Sequence, residues 1–506
     1  MNDKYYILNV LTISSLPKIL SFSLKLISYP LMVRAVGISQ LGVVVYLSAV
    51  ITILECFVDF GATTAAGKDI AAARDQDSVS EVYVLMKWLK FQISIALISF
   101  IPFLLFTYLI TFYSSTINFD IEILIILVIS NWLRVFINFI RTALTSLLAF
   151  KLLVVLDILE SLMQSLFWFL VATYLPTIFG LALSNIILTL LILIVGVLIL
   201  FYSIGMKWPR ENNELTEQKS LSSDYSPKIL IYKSIDFFWL RIATRSLTSI
   251  PNIIFGKIFG ADFVGIIGAY SKIIDLLNFP YGVIGYALAV RASDIVVKGV
   301  SKVTALWNMV SKVVSLSLFL SAICFIGSPY IKMVLFPNNP NSISIIKIMS
   351  ILIFTNAISS TITMMSDYVD SVKSRNILIS FVSIFQIPIL LFVAKMYGEN
   401  GSVLCLALVI LITNYFYIKI ALKNFFKDAR FHIRKEVIYF SFTIIFALIV
   451  SDYFQRNDYV LIFAQVNWLN NFLSSIFILT FVIILSFIFN KKMRRFYSLR
   501  NILNFL

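Results

Sequence analysis

The sequence predicts an all-α polytopic membrane protein of about fourteen transmembrane helices. Three observations carry that expectation. Of the 506 residues, 60% are hydrophobic and only 13% charged, with a mean hydropathy of +0.94. A soluble domain of this length does not hide so much apolar surface. Apolar runs long enough to cross a hydrocarbon core of about 30 Å recur along the whole chain. Lys and Arg gather in alternate loops, as a fixed orientation in a bilayer requires.

The first run, Leu11–Ala35, continues too long for a cleaved leader, lacks a cleavage site and contains Lys18 and Lys25, so it reads as a membrane span. Leu41–Phe60, Val84–Phe112, Ile121–Leu148, Leu152–Leu175 and Ile178–Tyr202 follow. Lys207–Lys228 is then polar and charged, with Pro209 and Pro227, and reads as a cytoplasmic linker. Beyond it come Ser234–Phe255, Phe263–Val290, Val303–Leu335, Ile343–Ser366, Ile377–Val393, Val403–Ile420, the short Val437–Val450 and Leu469–Phe489. The expected organisation is a six-helix bundle over residues 1–206, a linker over 207–228, a second bundle over 229–426, and an extra helix pair with a basic tail over 427–506.

Orientation follows from the cations. The loops carrying Lys68 and Arg74, Lys151, Lys207 to Lys228, Arg291 to Lys302, Lys373 and Arg375, and Lys423 to Lys435 alternate with loops nearly free of them. With the basic tail Lys491–Arg500, this places both termini in the cytoplasm. The net charge of +15 is thereby explained by topology, and nucleic acid is not an expected partner. Cys56, Cys324 and Cys405 all lie in apolar stretches at spacings that fit neither a disulfide framework nor a metal site. His432 is the single histidine, which leaves no His-based metal centre or catalytic triad. Gly61-x5-Gly67-Lys68 is one residue too long for a phosphate loop and has Asp69 where a hydroxyl is needed. Neither an enzymatic motif nor a cofactor is expected.

A short internal echo links the halves. Gly37-x4-Gly42 follows the first span and Gly260-x4-Gly265 the seventh. Each is preceded by a proline, Pro30 or Pro251, with Ser28 or Ser249 two residues before it. Parallel repeats of this kind build transporters whose site lies between the repeats.

The chemistry sits in polar stripes. Asn131, Arg134, Asn138, Arg141 and Thr145 recur at steps of 3, 4, 3 and 4, on one face of the fourth span. Ser14, Lys18, Ser21, Lys25 and Ser28 do the same in the first, and Arg241, Arg245, Thr248 and Asn252 in the seventh. Ser271, Asp275 and Asn278 mark the eighth, and Asn356, Ser360, Thr363 and Asp367 the tenth. A bare cation at the bilayer centre costs roughly 2.5–3.5 kcal/mol on the mildest scale, so these stripes face water or protein. Two readings stand. The cations line a wet cavity for an anion, Arg offering a planar fork that matches phosphate. Alternatively they are structural, either snorkelling to the interface, as Arg141 and Lys312 can, or pairing with Glu55, Asp157, Glu160, Asp236 or Asp275 on neighbouring helices. Asp157 and Glu160 either neutralise Arg134 or Arg141, or join Asp275 as candidates for ion coupling.

Leu16-Pro-Lys-Ile-Leu-Ser-Phe22, Tyr29-Pro-Leu-Met-Val-Arg34, Leu41-Gly-Val-Val-Val-Tyr46 and Phe57-Val-Asp-Phe-Gly61 resemble the polysaccharide transporters of the multidrug/oligosaccharidyl-lipid/polysaccharide (MOP) exporter superfamily, O-antigen flippases in particular. The resemblance implies two pseudo-symmetric six-helix bundles in a V, as in multidrug and toxic compound extrusion (MATE) proteins, plus two C-terminal helices. It implies an undecaprenyl-diphosphate-linked oligosaccharide as substrate, moved between leaflets of the bacterial inner membrane in the course of lipopolysaccharide biosynthesis. O-antigen polymerase and a chain-length regulator are the partners it suggests. Lys18, Lys25, Arg134, Asn138, Arg141, Arg241, Arg245 and Asn252 then become substrate-binding candidates. A cation-coupled drug exporter of the same superfamily is the first alternative, and an Arg-rich interior argues against cationic cargo. A polytopic O-antigen polymerase is the second, and the short outer loops argue against it. A scaffold is the third, and it has no need of buried charge at helical spacing.

Overall fold

The computed structural model describes residues 23–74, 78–114, 119–147, 149–207, 226–278, 317, 320–336, 342–366 and 372–425, and all regular structure among them is helical. Lys18, Asp367, most of the 207–228 linker and the last two expected spans lie outside the described residues. Six helices among those described are long and apolar enough to cross a membrane. On α4 (Ser78–Ser114), Leu97, Ile98, Ile101 and Leu105 are exposed. In a bilayer such side chains meet lipid rather than water.

Helix α1 (23–36) passes through Gly37 into α2 (Ile38–Asp59). Phe60 and Gly61 then turn the chain into α3 (Ala62–Arg74). After α4 come α5 (Ile121–Ser146), α6 (Phe150–Tyr174) and α7 (Ile178–Lys207). The second half opens with α8 (Pro227–Phe259), whose Pro227 sits in the first turn, where a missing N–H costs nothing. Gly260 leads into α9 (261–278). Short helices α10 (320–326) and α11 (Ser328–Leu335), then α12 (Ser342–Ser366) and α13 (Val372–Phe425), complete the described chain.

Four of these differ from the expected spans. Helix α3 occupies what reads as a cytoplasmic loop, because thirteen residues rich in Ala and polar groups give no spanning signal. The segment read as a phosphate-loop look-alike is thus helical. The ninth expected span, Val303–Leu335, is interrupted at Gly327, where Ser328-Pro329 starts a new helix. Ile377–Val393 and Val403–Ile420 belong to one run, α13, turned at Gly398 (φ 64°, ψ −158°).

The described residues group into two compact units, one drawn from Met1–Ala269 and Val372–Glu399, the other from Tyr270–Ser371 and Asn400–Leu506. The core of the first lies among α3, α4, α5 and α7, around fully buried Trp88, Leu85, Ile70 and Leu144. Ser146 Oγ on α5 donates to the Gly67 carbonyl on α3 at 3.0 Å. In the second unit, the Tyr270 and Ser350 hydroxyls are 2.7 Å apart, and Ser321 Oγ donates to the Ser350 carbonyl at 2.7 Å.

The Gly-x4-Gly echo has a structural counterpart inside the first unit. Gly37 (φ 91°, ψ 153°) and Gly260 (φ 85°, ψ −175°) share one backbone conformation, which is all but closed to other residues. Gly42 and Gly265 then make reciprocal contacts. A Cβ on Gly42 would lie 1.8 Å from the Ala261 carbonyl oxygen, and one on Gly265 would lie 2.2 Å from that of Ile38. Each second glycine therefore packs on the residue that follows the other motif's first glycine. This is the contact expected of two related segments facing each other across a local two-fold.

The first part of α13 runs along α8 in parallel register. Asn376 Nδ2 donates to the Asp236 carbonyl at 3.4 Å, Ser383 Oγ to Ala243 at 2.7 Å and Gln386 Nε2 to Ser246 at 3.1 Å. Polar side chains bonded across helices hold membrane bundles together where apolar burial gives no net drive.

Candidate substrate-binding site

Glu55 and Asp59 lie one turn apart on α2, both buried, with Asp59 only 1% exposed. Phe60 (φ 49°) and Gly61 (φ 72°) place α3 so that Thr63 Oγ1 donates to Asp59 Oδ1. At Gly61 the α8 backbone comes so close that a Cβ would lie 2.5 Å from the Ser234 carbonyl oxygen. This approach brings the α8 stripe against α2. Arg241 Nη1 pairs with Asp59 Oδ2. Arg245, the next turn of α8, and Arg134 of α5 are within electrostatic reach of Glu55, as is Arg241. Among the described residues, neither Arg134 nor Arg245 has a carboxylate within ion-pair distance. With both acids ionised, three guanidinium groups face two carboxylates, and the cluster carries a net positive charge.

The other end of the α5 stripe is neutralised. Arg141 Nε is 3.3 Å from Asp157 Oδ1, and Nη2 pairs with Glu160 Oε2. The two acids, three residues apart on α6, form one receptacle for one guanidinium. Asn138 lies half-buried between Arg134 and Arg141 on α5, and Asn252 half-buried on α8 beside Pro251. Asp275 is exposed on α9, in the second compact unit. Asp236 contributes its backbone carbonyl to Asn376.

Arg134 opens onto a cavity of about 140 Å³ between α5, α6 and α7, with Val44 of α2 on its wall. Its Nη2 donates to Asn185 Oδ1 at 3.1 Å. Ser184, Gln164, Phe167 and Trp168 complete the polar and aromatic lining. Trp168 also meets Tyr29 of α1, with ring centroids 5.0 Å apart. Lys25 lies one turn before Tyr29, half-buried on the same helix face.

Sequence reasoning thus places Arg134, Arg241 and Arg245 on polar faces; in the fold Arg241 pairs with Asp59, and all three come within electrostatic reach of Glu55. It does not find Asp59, Thr63 or Asn185. Asp59 is visible only as part of Phe57-Val-Asp-Phe-Gly61. The αL residue and glycine after it are the signal that the chain turns there and hands the carboxylate to a neighbour.

Residues 8–292 match the model of a family described as polysaccharide biosynthesis protein. The chain belongs to that family. Among curated proteins none matches it significantly. Among solved structures, the inward-facing form of a multidrug resistance MATE family transporter of the MOP superfamily superposes with a TM-score of 0.61 at 13% identity, covering 81% of this chain and 96% of that one. Lipid II flippase MurJ, in an inward closed conformation, gives 0.58 at 16% identity, covering 93% and 98%. The outward-facing form of a multidrug resistance MATE family transporter of the MOP superfamily gives 0.57 at 13%, covering 83% and 95%. At these identities the likeness establishes the fold. Family and fold together show a polysaccharide biosynthesis family chain with the fold that these transporters share.

Proposed function

We propose that this protein flips undecaprenyl-diphosphate-linked O-antigen repeat units from the cytoplasmic to the periplasmic leaflet of the bacterial inner membrane. The single observation that carries the reading is the net positive Arg134–Arg241–Arg245 cluster, held among membrane helices of a polysaccharide-family chain. A diphosphate bears charge that hydrocarbon rejects, and the half-buried guanidinium groups of Arg241 and Arg245 offer parallel donors to it, while Arg134 adds positive charge for the rest of an anionic head group. Lys25 adds a further cation on α1. The prenyl tail stays in lipid while the head group crosses.

In this account two bundles, residues 1–206 and 229–426, expose the site alternately to each side, with both termini in the cytoplasm. O-antigen polymerase and a chain-length regulator receive the product. Asp157 and Glu160 hold Arg141 in place rather than a coupling ion, since their charge is already engaged. Drug export of a cationic compound is disfavoured by three clustered arginines.

The test is complementation of a flippase-deficient strain. Arg134→Ala and Arg241→Ala each reduce surface polymer by at least tenfold while the protein still inserts. Asp59→Asn/Arg241→Gln, which removes both partners of the buried pair, separates loss of function from loss of folding: it inserts normally and still fails to support polymer. Normal polymer from these variants overturns the proposal.

A further inference from the structure

We infer that the cavity at Arg134 is a sugar subsite that selects a carboxylate-bearing residue, a uronic acid, within the transported oligosaccharide. The inference rests on the flippase reading and goes beyond it by naming what one cavity recognises. Four observations carry it.

The cavity has one cation on its wall and no carboxylate, so its electrostatic preference is for a single negative charge. Asn185 Oδ1 accepts from Arg134 Nη2 at 3.1 Å, which fixes the plane of the guanidinium and leaves its remaining N–H groups for a planar acceptor. A carboxylate matches that fork with two parallel bonds. Elsewhere on the lining, Gln164 and Ser184 offer amide and hydroxyl groups for ring hydroxyls, and Phe167 and Trp168, with aliphatic Val44, Leu127, Leu181 and Leu188, offer apolar surface for the C–H face of a pyranose. The volume of about 140 Å³ is well below the roughly 300–1,000 Å³ of pockets that enclose drug-sized ligands, so it admits one ring and not a chain. Arg241 and Arg245, one helix away, remain for the diphosphate.

The experiment is equilibrium binding to the purified full-length chain in lipid nanodiscs, read by tryptophan fluorescence. The chain has seven tryptophans, so Trp168→Phe defines the signal that belongs to this cavity. Glucuronate, glucose and inorganic phosphate are titrated separately. Glucuronate changes the Trp168 signal saturably, glucose at equal concentration does not, and phosphate neither changes it nor displaces glucuronate. Arg134→Gln weakens glucuronate binding about tenfold or more, as loss of a charge-assisted bond requires. Gln164→Ala, which leaves the cation in place, weakens it less and keeps the preference over glucose. Equal binding of glucose, displacement by phosphate, or no Trp168 response in folded protein overturns the inference. A protein that flips lipid-linked oligosaccharide but ignores glucuronate refutes only the subsite. A protein that binds glucuronate but flips nothing refutes only the flippase reading.

Discussion

Asp59 is the residue on which the local electrostatics turn. It is 1% exposed, accepts from Thr63 and pairs with Arg241. Removing one member of such a pair strands the other charge, at about 3–5 kcal/mol. Asp59→Ala therefore lowers the thermal stability of the purified protein markedly, and Asp59→Asn/Arg241→Gln recovers most of the loss, as thermal melts monitored by size exclusion report. The same contact bears on substrate capture. A diphosphate and the Asp59 carboxylate compete for one guanidinium, so Asp59→Asn tightens binding of a diphosphate-bearing lipid while slowing its release. Arg141 offers a contrast. Its removal leaves Asp157 and Glu160 facing each other one turn apart, and Arg141→Ala is destabilising in a way that Asp157→Asn relieves. The stripes are readable residue by residue because spacing alone sets a helix face. Which acid neutralises which base is not, since Asp59 reaches Arg241 only through the turn at Phe60–Gly61 and the approach of a helix far along the chain.

Among elements, the reciprocal contact of Gly42 with Ala261 and Gly265 with Ile38 sets the spacing of α2 and α9. Gly42→Ala puts a methyl group into a carbonyl oxygen, forces the helices apart and costs about 1–3 kcal/mol, as overpacking does. Gly205→Ala, on α7 with nothing within 4 Å of the added Cβ, is the control. It is neutral or gains up to about 1 kcal/mol from helix propensity. A melt in which both variants behave alike would refute the close-packing account. Element positions are legible wherever a long apolar run meets a charged or turn-rich boundary, as for α5, expected at Ile121–Leu148 and found at Ile121–Ser146. Helix α3 is not legible because its stability comes from docking on α4 and α5 through Ser146, Trp88 and Asp69, and not from its own hydropathy. The break at Gly327 is hidden because hydropathy averages across a one-residue interruption.

At the scale of the molecule, a membrane fold places charge where it is costly, and that cost must be offset by a neighbour or by cargo. Arg141 is offset by its two acids. The cluster of Arg134, Arg241 and Arg245 with Glu55 and Asp59 is offset only in part, and the residual positive charge is what an anionic head group would neutralise. The echo of Gly37–Gly42 in Gly260–Gly265 points from sequence to two related halves, and its contact geometry gives that repeat a physical role in bringing α9 and α2 together. The most direct measurement is flipping of a fluorescent undecaprenyl-diphosphate-linked oligosaccharide in proteoliposomes, comparing the natural chain with Arg134→Ala and with Asp59→Asn/Arg241→Gln. The account predicts flipping by the natural chain and at least a tenfold loss in both variants at equal reconstitution. Undiminished flipping by both would contradict it.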